Sequence, residues 1–592
     1  MKINRNILWC KIFCDELAKN EVEHAVICSG SRNTSLIIAL SEHPKIKCHT
    51  AVDERSAAFL ALGIAKSTCK PVAIAVTSGT AVTELYPAIV EAYFQRTPLV
   101  ILTADRPVEL KDNGANQTIN QYNIFANHIR WFFDVGLPEI EFSRLRHIRT
   151  IARRAVFYAT VKDRGPVHIN MPFRTPFEPF ETTDEIEQQL YDFFFKEEDY
   201  KEELSQSSYV FPKFGEIKSE LFDSLIKFKK GIFIVGPENY SNIFLDNLTF
   251  SANLLGFPII ADGASQVRFG IRDKSSLICN YEAYLQYEPL IKKLKPDIIL
   301  HFGRNFTSKG LGYFLDKSPS QRIIINSYGD WVDPHNLSNF ALQAEPSFFA
   351  EALRQYLLDK QYDNRANPWK QKWLLADKLA KQTKEKFLKD DLLGFEGKII
   401  PTVLEALPHK SALFVGNSTP IRDLDYFSSE MDSEIAVYTN RGASGIDGSV
   451  STALGISLTG KKTAAIIGDQ AFFYDINALG LAKKLNSPLL VILVNNNGGG
   501  LFENLPVSKI GKNFEEYFLA PMNLNVKAIV EAFGHKHILI DSWEKLKESV
   551  QKFKWNNLLV LEIKTDAKKS AEIKQKLWQK IIATIEKNID KF

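Results

Sequence analysis

Short, fully apolar runs alternate with amphipathic stretches along most of the chain, and polar or glycine residues follow nearly every run. His24-Ala25-Val26-Ile27-Cys28 leads into Ser29-Gly30-Ser31-Arg32, and Lys47-Cys48-His49-Thr50-Ala51-Val52 into Asp53-Glu54-Arg55. Val72-Ala73-Ile74-Ala75-Val76 leads into Thr77-Ser78-Gly79-Thr80, and Leu99-Val100-Ile101-Leu102 into Thr103-Ala104-Asp105-Arg106-Pro107. Each run predicts a buried strand whose carboxyl end carries polar residues, followed by a helix. A βαβ array with a parallel sheet follows. A second array runs through 231–237, 258–263, 297–303 and 322–326, and a third from 413 through 463–467 and 488–494 to 559–563.

The predicted architecture is therefore α/β, with three doubly wound parallel-sheet domains at 1–182, 209–358 and 396–592. An acidic, aromatic linker joins the first two (183–208), and a helical segment rich in Lys, Gln and Asp joins the last two (359–395). The first and third arrays echo each other: a strand ending in glycine, a helix, then a strand opened by proline (Pro98, Pro488). Ile7, Leu8, Trp9, Ile12, Phe13 and Leu17, interrupted by Lys11 and Asp15, predict an amphipathic amino-terminal helix rather than a secretion signal. Ile573, Leu577, Ile581, Ile585 and Ile589 predict another at the tail.

At 592 residues the chain is too long for one core. A net charge of +3 gives no basis for nucleic acid or an anionic surface as partner. No stretch approaches the ~20 apolar residues of a membrane span, so a cytoplasmic protein is expected. Cys10, Cys14, Cys28, Cys48, Cys69 and Cys279 form no CxxC pair and complete no zinc set. They read as buried thiols in a reducing compartment. His24, His49, His168 and His301 lie in or beside strands and read as structural.

Two strand tips carry the first chemical hypothesis. Gly468-Asp469 closes one apolar run, and Asn495-Asn496-Asn497-Gly498-Gly499-Gly500 closes the next. One helix between them sets a carboxylate beside a carboxamide at the carboxyl edge of the sheet, where α/β ligands bind. With a backbone carbonyl and two phosphate oxygens, such a pair nearly completes an octahedral Mg²⁺ shell. Neither GxGxxG nor a Walker A pattern follows any strand, so a nucleotide-dependent oxidoreductase lacks its fingerprint. Glu54 stands where a strand becomes a helix, either complementing the helix dipole or pairing with Arg55, or else handling a proton. Asp53 competes for that role on position alone. Arg32, Arg106, Arg422 and Arg441 all follow strand ends or glycine-rich segments, and suit bidentate clamps for carboxylates. Lys309 adds a fifth cation.

These residues resemble the thiamin-diphosphate-dependent enzymes. The segments Ser29–Ser35, Thr77–Val82, Leu102–Pro107, Gly114–Gln117, Val415–Ser418 and Asn440–Gly448 are similar to the branch of that family that serves menaquinone (vitamin K2) synthesis. The resemblance implies a pyrimidine-binding first domain, a central domain and a diphosphate-binding third domain. It implies Glu54 as the cofactor-activating glutamate, and Asp469, Asn496 and the Gly498 carbonyl as ligands of Mg²⁺ (or Mn²⁺). Thr77, Ser78, Gly79, Asn417, Ser418, Ser444, Gly445 and Gly468 would line the cofactor, and Ile446 would hold it bent, a proximity effect.

The implied reaction decarboxylates 2-oxoglutarate and adds the succinyl-semialdehyde carbanion to isochorismate. Arg32, Arg106, Gln117 and Lys309 would hold isochorismate, Ser418, Arg422 and Arg441 would face the oxoglutarate carboxylate, and Ser31 and Asn116 would also bind substrate. Leu501 and Phe502 would wall the pocket. The family implies a homodimer, or a dimer of dimers, with active sites between subunits. Gln470 departs from the glycine that often follows Gly-Asp. An acetolactate-synthase-like enzyme or an oxoglutarate decarboxylase would share Glu54 and Asp469 but not the extra cations, and a non-catalytic homologue would have little reason to keep the cofactor residues.

Overall fold

A computed structural model of the chain describes residues 1–161, 163–182, 184–195, 217–390 and 392–592. Strands of the first domain are β2 (His24–Cys28), β3 (Lys47–Ala51), β4 (Val72–Val76), β5 (Leu99–Asp105), β6 (Trp131–Asp134) and β7 (Pro166–Pro172). They form one sheet in the order β3-β2-β4-β5-β7-β6, every neighbouring pair parallel. A short β1 (Lys2–Ile3) pairs antiparallel with β8 (Asp184–Glu185), tying the amino terminus to the chain that leaves the domain. The third domain repeats this winding with β15 (Ser411–Val415), β16 (Ile435–Thr439), β17 (Thr463–Gly468), β18 (Leu489–Asn495), β19 (Lys536–Ile540) and β20 (Leu558–Lys564). Its order is β16-β15-β17-β18-β20-β19, again all parallel.

Between them lies a sheet of β9 (Gly231–Val235), β10 (Ile259–Ala261), β11 (Leu277–Ile278), β12 (Ile298–Phe302), β13 (Gln321–Asn326) and β14 (Phe340–Gln343). Its order, β11-β10-β9-β12-β13-β14, is also wound outward from a central strand. Parallel strands covered on both faces need continuous apolar runs, and β4, β5, β9, β12 and β15 are buried throughout.

The domains share cores. The helix Glu54–Thr68 lies backbone to backbone on the helix Ser449–Ser457. A side chain on Gly63 would meet the Thr452 carbonyl at 2.0 Å, and one on Gly455 the Leu60 carbonyl at 2.1 Å. Phe59, Leu60 and Ile64 thus join Val450, Leu454 and Ile456 in one cluster spanning the first and third domains. The tail helix Ala567–Glu586 buries Leu577, Ile581 and Ile585 against Trp369 and Trp373 of the helix Pro368–Leu388, strapping the third domain to the middle one. The amino-terminal helix Arg5–Lys19 buries all six apolar positions of its pattern, and Asn4 caps it. The expected linker opens with ordered structure: the helix Gln188–Phe195 inserts Phe194 into the first core. Residues 183 and 196–208 of that segment lie outside the described residues.

One expectation needs correcting. Cys10, Cys14, Cys28 and Cys279 are buried, but Cys48 is half-buried and Cys69 exposed. Cys69 takes the left-handed cap position (φ 59°) ending the helix that Glu54 begins, and that turn faces outward. Among the described residues no helix is long and apolar enough to cross a membrane.

Candidate functional site

In the third sheet the winding reverses between β15 and β17, and ligands of open α/β sheets bind at such a switch point. Asn417-Ser418 follows β15, and Asp469 follows β17. The Asp469 carboxylate is 6% exposed. It accepts the Gly498 N–H at 2.8 Å and the Gln470 N–H at 2.8 Å. Among the described residues no ion pair reaches it, and burial pushes its carboxyl pKa up to about 6. A buried carboxylate without a counter-charge is costly.

Asn496, at the next tip, donates from Nδ2 to Glu396 Oε1 at 2.9 Å. That bond turns Oδ1 the other way, where it is buried with no partner. An uncompensated carboxylate and an orphaned carboxamide oxygen at neighbouring tips are the hard-oxygen donors a divalent cation takes. Among the described residues no cluster of three His, Cys, Asp or Glu side chains forms, so the remaining ligands would come from backbone, phosphate and water.

Gly498 sits at φ +145°, and a side chain there would strike the Leu519 carbonyl at 2.0 Å. Gln470 Nε2 reaches that same carbonyl at 3.4 Å, so the departure at 470 braces the neighbouring segment. A Cβ on Gly468 would meet nothing within 4 Å, leaving space for a phosphate beside Asp469.

Asn417 Nδ2 donates to the carbonyls of Asn440 and Gly445, both at 2.7 Å, drawing the two loops together. Ser418 (φ 73°) and Ser444 (φ 61°) hold left-handed conformations uncommon for serine, a strain that collects at ligand-binding turns. Arg422 Nη1 donates to the Ser418 carbonyl at 2.5 Å, and its buried Nε has no partner. Arg441 lies 3.5 Å from Asn417 Oδ1; burial opposes its charge most, Asp262 supports it, and Arg422 opposes it again. Lys309 is exposed at the start of the helix Lys309–Lys317. Buried Glu282 bonds Ser308 Oγ and the Gly310 N–H on either side of it, and also Tyr426, on the helix that carries Arg422. Leu501 and Phe502 are half-buried in the turn Gly500–Asn504, with Phe502 edge-on to Phe518.

The first domain carries the second cationic pair. Arg32 stacks on Phe177 and donates to the Phe173 carbonyl at 2.8 Å. Burial and then Arg106 lower its pKa. Arg106 Nη1 is buried without a partner, and the adjacent Asp105 is already paired with Lys111 at 2.8 Å. Gln117 (φ 56°) donates to the Ser78 carbonyl at 3.0 Å; Asn116 beside it is exposed, as is Ser31 beside Arg32. Thr77 and Ser78 are buried, and Ser78 Oγ lacks a partner.

The structure separates Asp53 from Glu54. Asp53 is occupied: it caps its helix through the Ser56 N–H at 3.1 Å and accepts Asn477 Nδ2 at 2.7 Å. Among the described residues no other side chain hydrogen-bonds the Glu54 carboxylate. Burial, then Asp53 and Glu84, push its pKa upward. Within one chain this end of the helix meets Tyr474 and Asn477, through Arg55 and Asp53. That is the far end of the helix Asp469–Tyr474, not the strand tips. Glu396, Gln121 (which accepts the Gly79 N–H at 3.1 Å), Glu91 and Lys66 were missed by sequence reasoning; no local pattern marks them.

The chain matches family models along most of its length. They are the N-terminal thiamine pyrophosphate (thiamin diphosphate) binding domain over 10–124, the middle domain over 190–415, and the C-terminal thiamine pyrophosphate binding domain over 426–563. The chain belongs to the thiamine pyrophosphate enzymes. It is 37% identical to a 2-succinyl-5-enolpyruvyl-6-hydroxy-3-cyclohexene-1-carboxylate synthase of Bacillus velezensis, over 97% of both chains. It is 36% identical to the synthase of that name from Geobacillus kaustophilus, over 97% of this chain and 98% of the other. Within the thiamine pyrophosphate enzymes, its family is that of these synthases. A benzoylformate decarboxylase from Polynucleobacter necessarius shares the fold alone, with a TM-score of 0.67 at 14% identity, covering 96% of this chain and 99% of that one.

Proposed function

We propose that the chain makes 2-succinyl-5-enolpyruvyl-6-hydroxy-3-cyclohexene-1-carboxylate and CO₂ from 2-oxoglutarate and isochorismate, a step of menaquinone synthesis. The observation that carries this reading is the pair of cationic sites. Arg32 with Arg106, and Arg422 with Arg441, each hold like charges together and each leave a buried guanidinium nitrogen unsatisfied. Both substrates are dianions, and carboxylates satisfy such forks bidentately.

Bound thiamin diphosphate supplies an electron sink for decarboxylating a 2-oxo acid. Asp469 and Asn496, with the Gly498 carbonyl, would hold its diphosphate through Mg²⁺ or Mn²⁺, with Thr77, Ser78 and Gly79 at the pyrimidine end. Glu54 would share a proton with a pyrimidine nitrogen, and the burial that raises its pKa favours that sharing. Arg441 and Arg422 would orient the oxoglutarate carboxylate, Arg32, Arg106 and Gln117 would seat isochorismate, and Lys309 would add charge at the mouth. Phe502 and Leu501 would exclude water. Glu54 stands apart from the metal tips of its own chain. The exposed Val52 (87%) beside it and the exposed Tyr474 (49%) on the facing helix suit burial against a second copy. A homodimer would bring the halves together. Six free thiols suit a reducing cytoplasm.

The test supplies thiamin diphosphate, Mg²⁺ and 2-oxoglutarate, with and without isochorismate, and analyses products by mass spectrometry. One adduct per isochorismate consumed is expected. CO₂ release that ignores isochorismate would make the protein an oxoglutarate decarboxylase instead.

A further inference from the structure

Three backbone positions on either side of Arg441, together with the Asn440 side chain, are gripped by side chains from the first domain. Glu91, on the helix Tyr86–Gln95, is 3% exposed, and its two oxygens accept the N–H groups of Gly442 at 2.9 Å and Ala443 at 2.7 Å. Lys66, on the helix that Glu54 begins, is 6% exposed and donates to the Thr439 carbonyl at 2.8 Å and Asn440 Oδ1 at 2.5 Å. The two charges face each other at 3.6 Å. Gln95 adds a bond to the Thr439 carbonyl at 3.2 Å. Two ionised side chains buried this deeply hold their place only when paired and fully hydrogen-bonded. Here the bonds that satisfy them are those fixing the loop that carries Arg441.

We propose that the Lys66–Glu91 pair is a clasp that positions Arg441 for the carboxylate of the 2-oxo acid, so that the first domain sets keto-acid recognition in a loop of the third. The inference rests on the reading of Arg441 as a carboxylate clamp. Neither side chain touches substrate; both act through the backbone on either side of Arg441. A guanidinium fork displaced by an ångström loses bidentate geometry, and bidentate bonds are the strong ones. The burial that favours neutral Lys66, lowering its pKa to about 8, fits a charge retained for a positional task.

The experiment measures steady-state kinetics and thermal stability of the full-length holoenzyme with Glu91→Ala, Glu91→Gln and the double variant Glu91→Gln/Lys66→Met. The double variant leaves no uncompensated buried charge, so it decides the matter if Glu91→Ala fails to fold. Loss of a charge-assisted bond predicts a KM for 2-oxoglutarate raised about tenfold or more in Glu91→Ala and in the double variant. Glu91→Gln, which keeps one acceptor, falls between. KM for isochorismate should stay at the wild-type value, and affinity for thiamin diphosphate with Mg²⁺ should fall far less than the use of 2-oxoglutarate. An unchanged KM for 2-oxoglutarate, or one that moves in step with the isochorismate KM and cofactor affinity, overturns the clasp. If wild-type protein fails to consume 2-oxoglutarate, the functional reading falls and the clasp with it; a normal wild type beside unaltered variants sinks the clasp alone.

Discussion

Gly498→Ala places a methyl group where the chain has no room. The new Cβ would lie 2.0 Å from the Leu519 carbonyl oxygen, and ordinary contact begins near 3.4 Å. The loop or its neighbour must therefore give way by about 1.4 Å. The backbone also sits at φ +145°, where an L side chain adds roughly 1–3 kcal/mol of strain. Metal–ligand distances tolerate only about 0.2 Å. A displacement several times larger would remove the Gly498 carbonyl from the proposed coordination shell and break the N–H bond that steadies Asp469. Elements far from this loop are untouched, so the variant should fold, with a modestly lowered Tm. Its Mn²⁺ affinity, measured by electron paramagnetic resonance with thiamin diphosphate present, should fall by about 100-fold. Affinity within about threefold of wild type would refute the placement of Gly498 at the metal.

Gly468→Ala is the counterpart: its Cβ meets no protein atom within 4 Å, so melting should be unchanged while calorimetric thiamin diphosphate affinity drops. Glu54→Gln should lower kcat by about 100-fold or more, with cofactor affinity far less affected; unaltered turnover would remove Glu54 from the chemistry. Asp475, fully buried with its pKa raised to about 6, binds its proton more tightly folded than unfolded, so it costs no stability at pH 3 and about 3 kcal/mol above pH 6. An asparagine can accept the Ser451 N–H and donate to the Ser451 and Ser56 hydroxyls that now donate to Asp475, so Asp475→Asn should stabilise the cofactor-free protein to urea at pH 7.5 and not at pH 4.

The fully buried strands were legible because a parallel strand covered on both faces leaves no polar position to confuse its period. Edges were not. Trp131–Asp134 is half-buried along its whole length, and Lys536–Ile540 buries only its last residue, so neither shows a period. Within the site, tip residues such as Asp469 and Asn496 stood out because amides and glycines after a buried strand have no structural reason to gather. Glu396, Glu91 and Lys66 had no such signal. Glu396 meets Asn496 across 100 positions, and Glu91 meets Gly442 across 351. A helical glutamate looks the same whether it faces water or a distant loop. Position alone left Asp53 competing with Glu54; the resemblance favoured Glu54, and the bonds to Ser56 and Asn477 show that the Asp53 carboxylate is occupied.

The most direct measurement is calorimetric titration of thiamin diphosphate into metal-free protein, with and without saturating Mg²⁺. Uptake of one molecule per chain, dependent on the ion and abolished by Asn496→Ala, is the predicted outcome. No heat of binding with Mg²⁺ present, or uptake indifferent to both the ion and Asn496, would contradict an ion-held diphosphate at these strand tips.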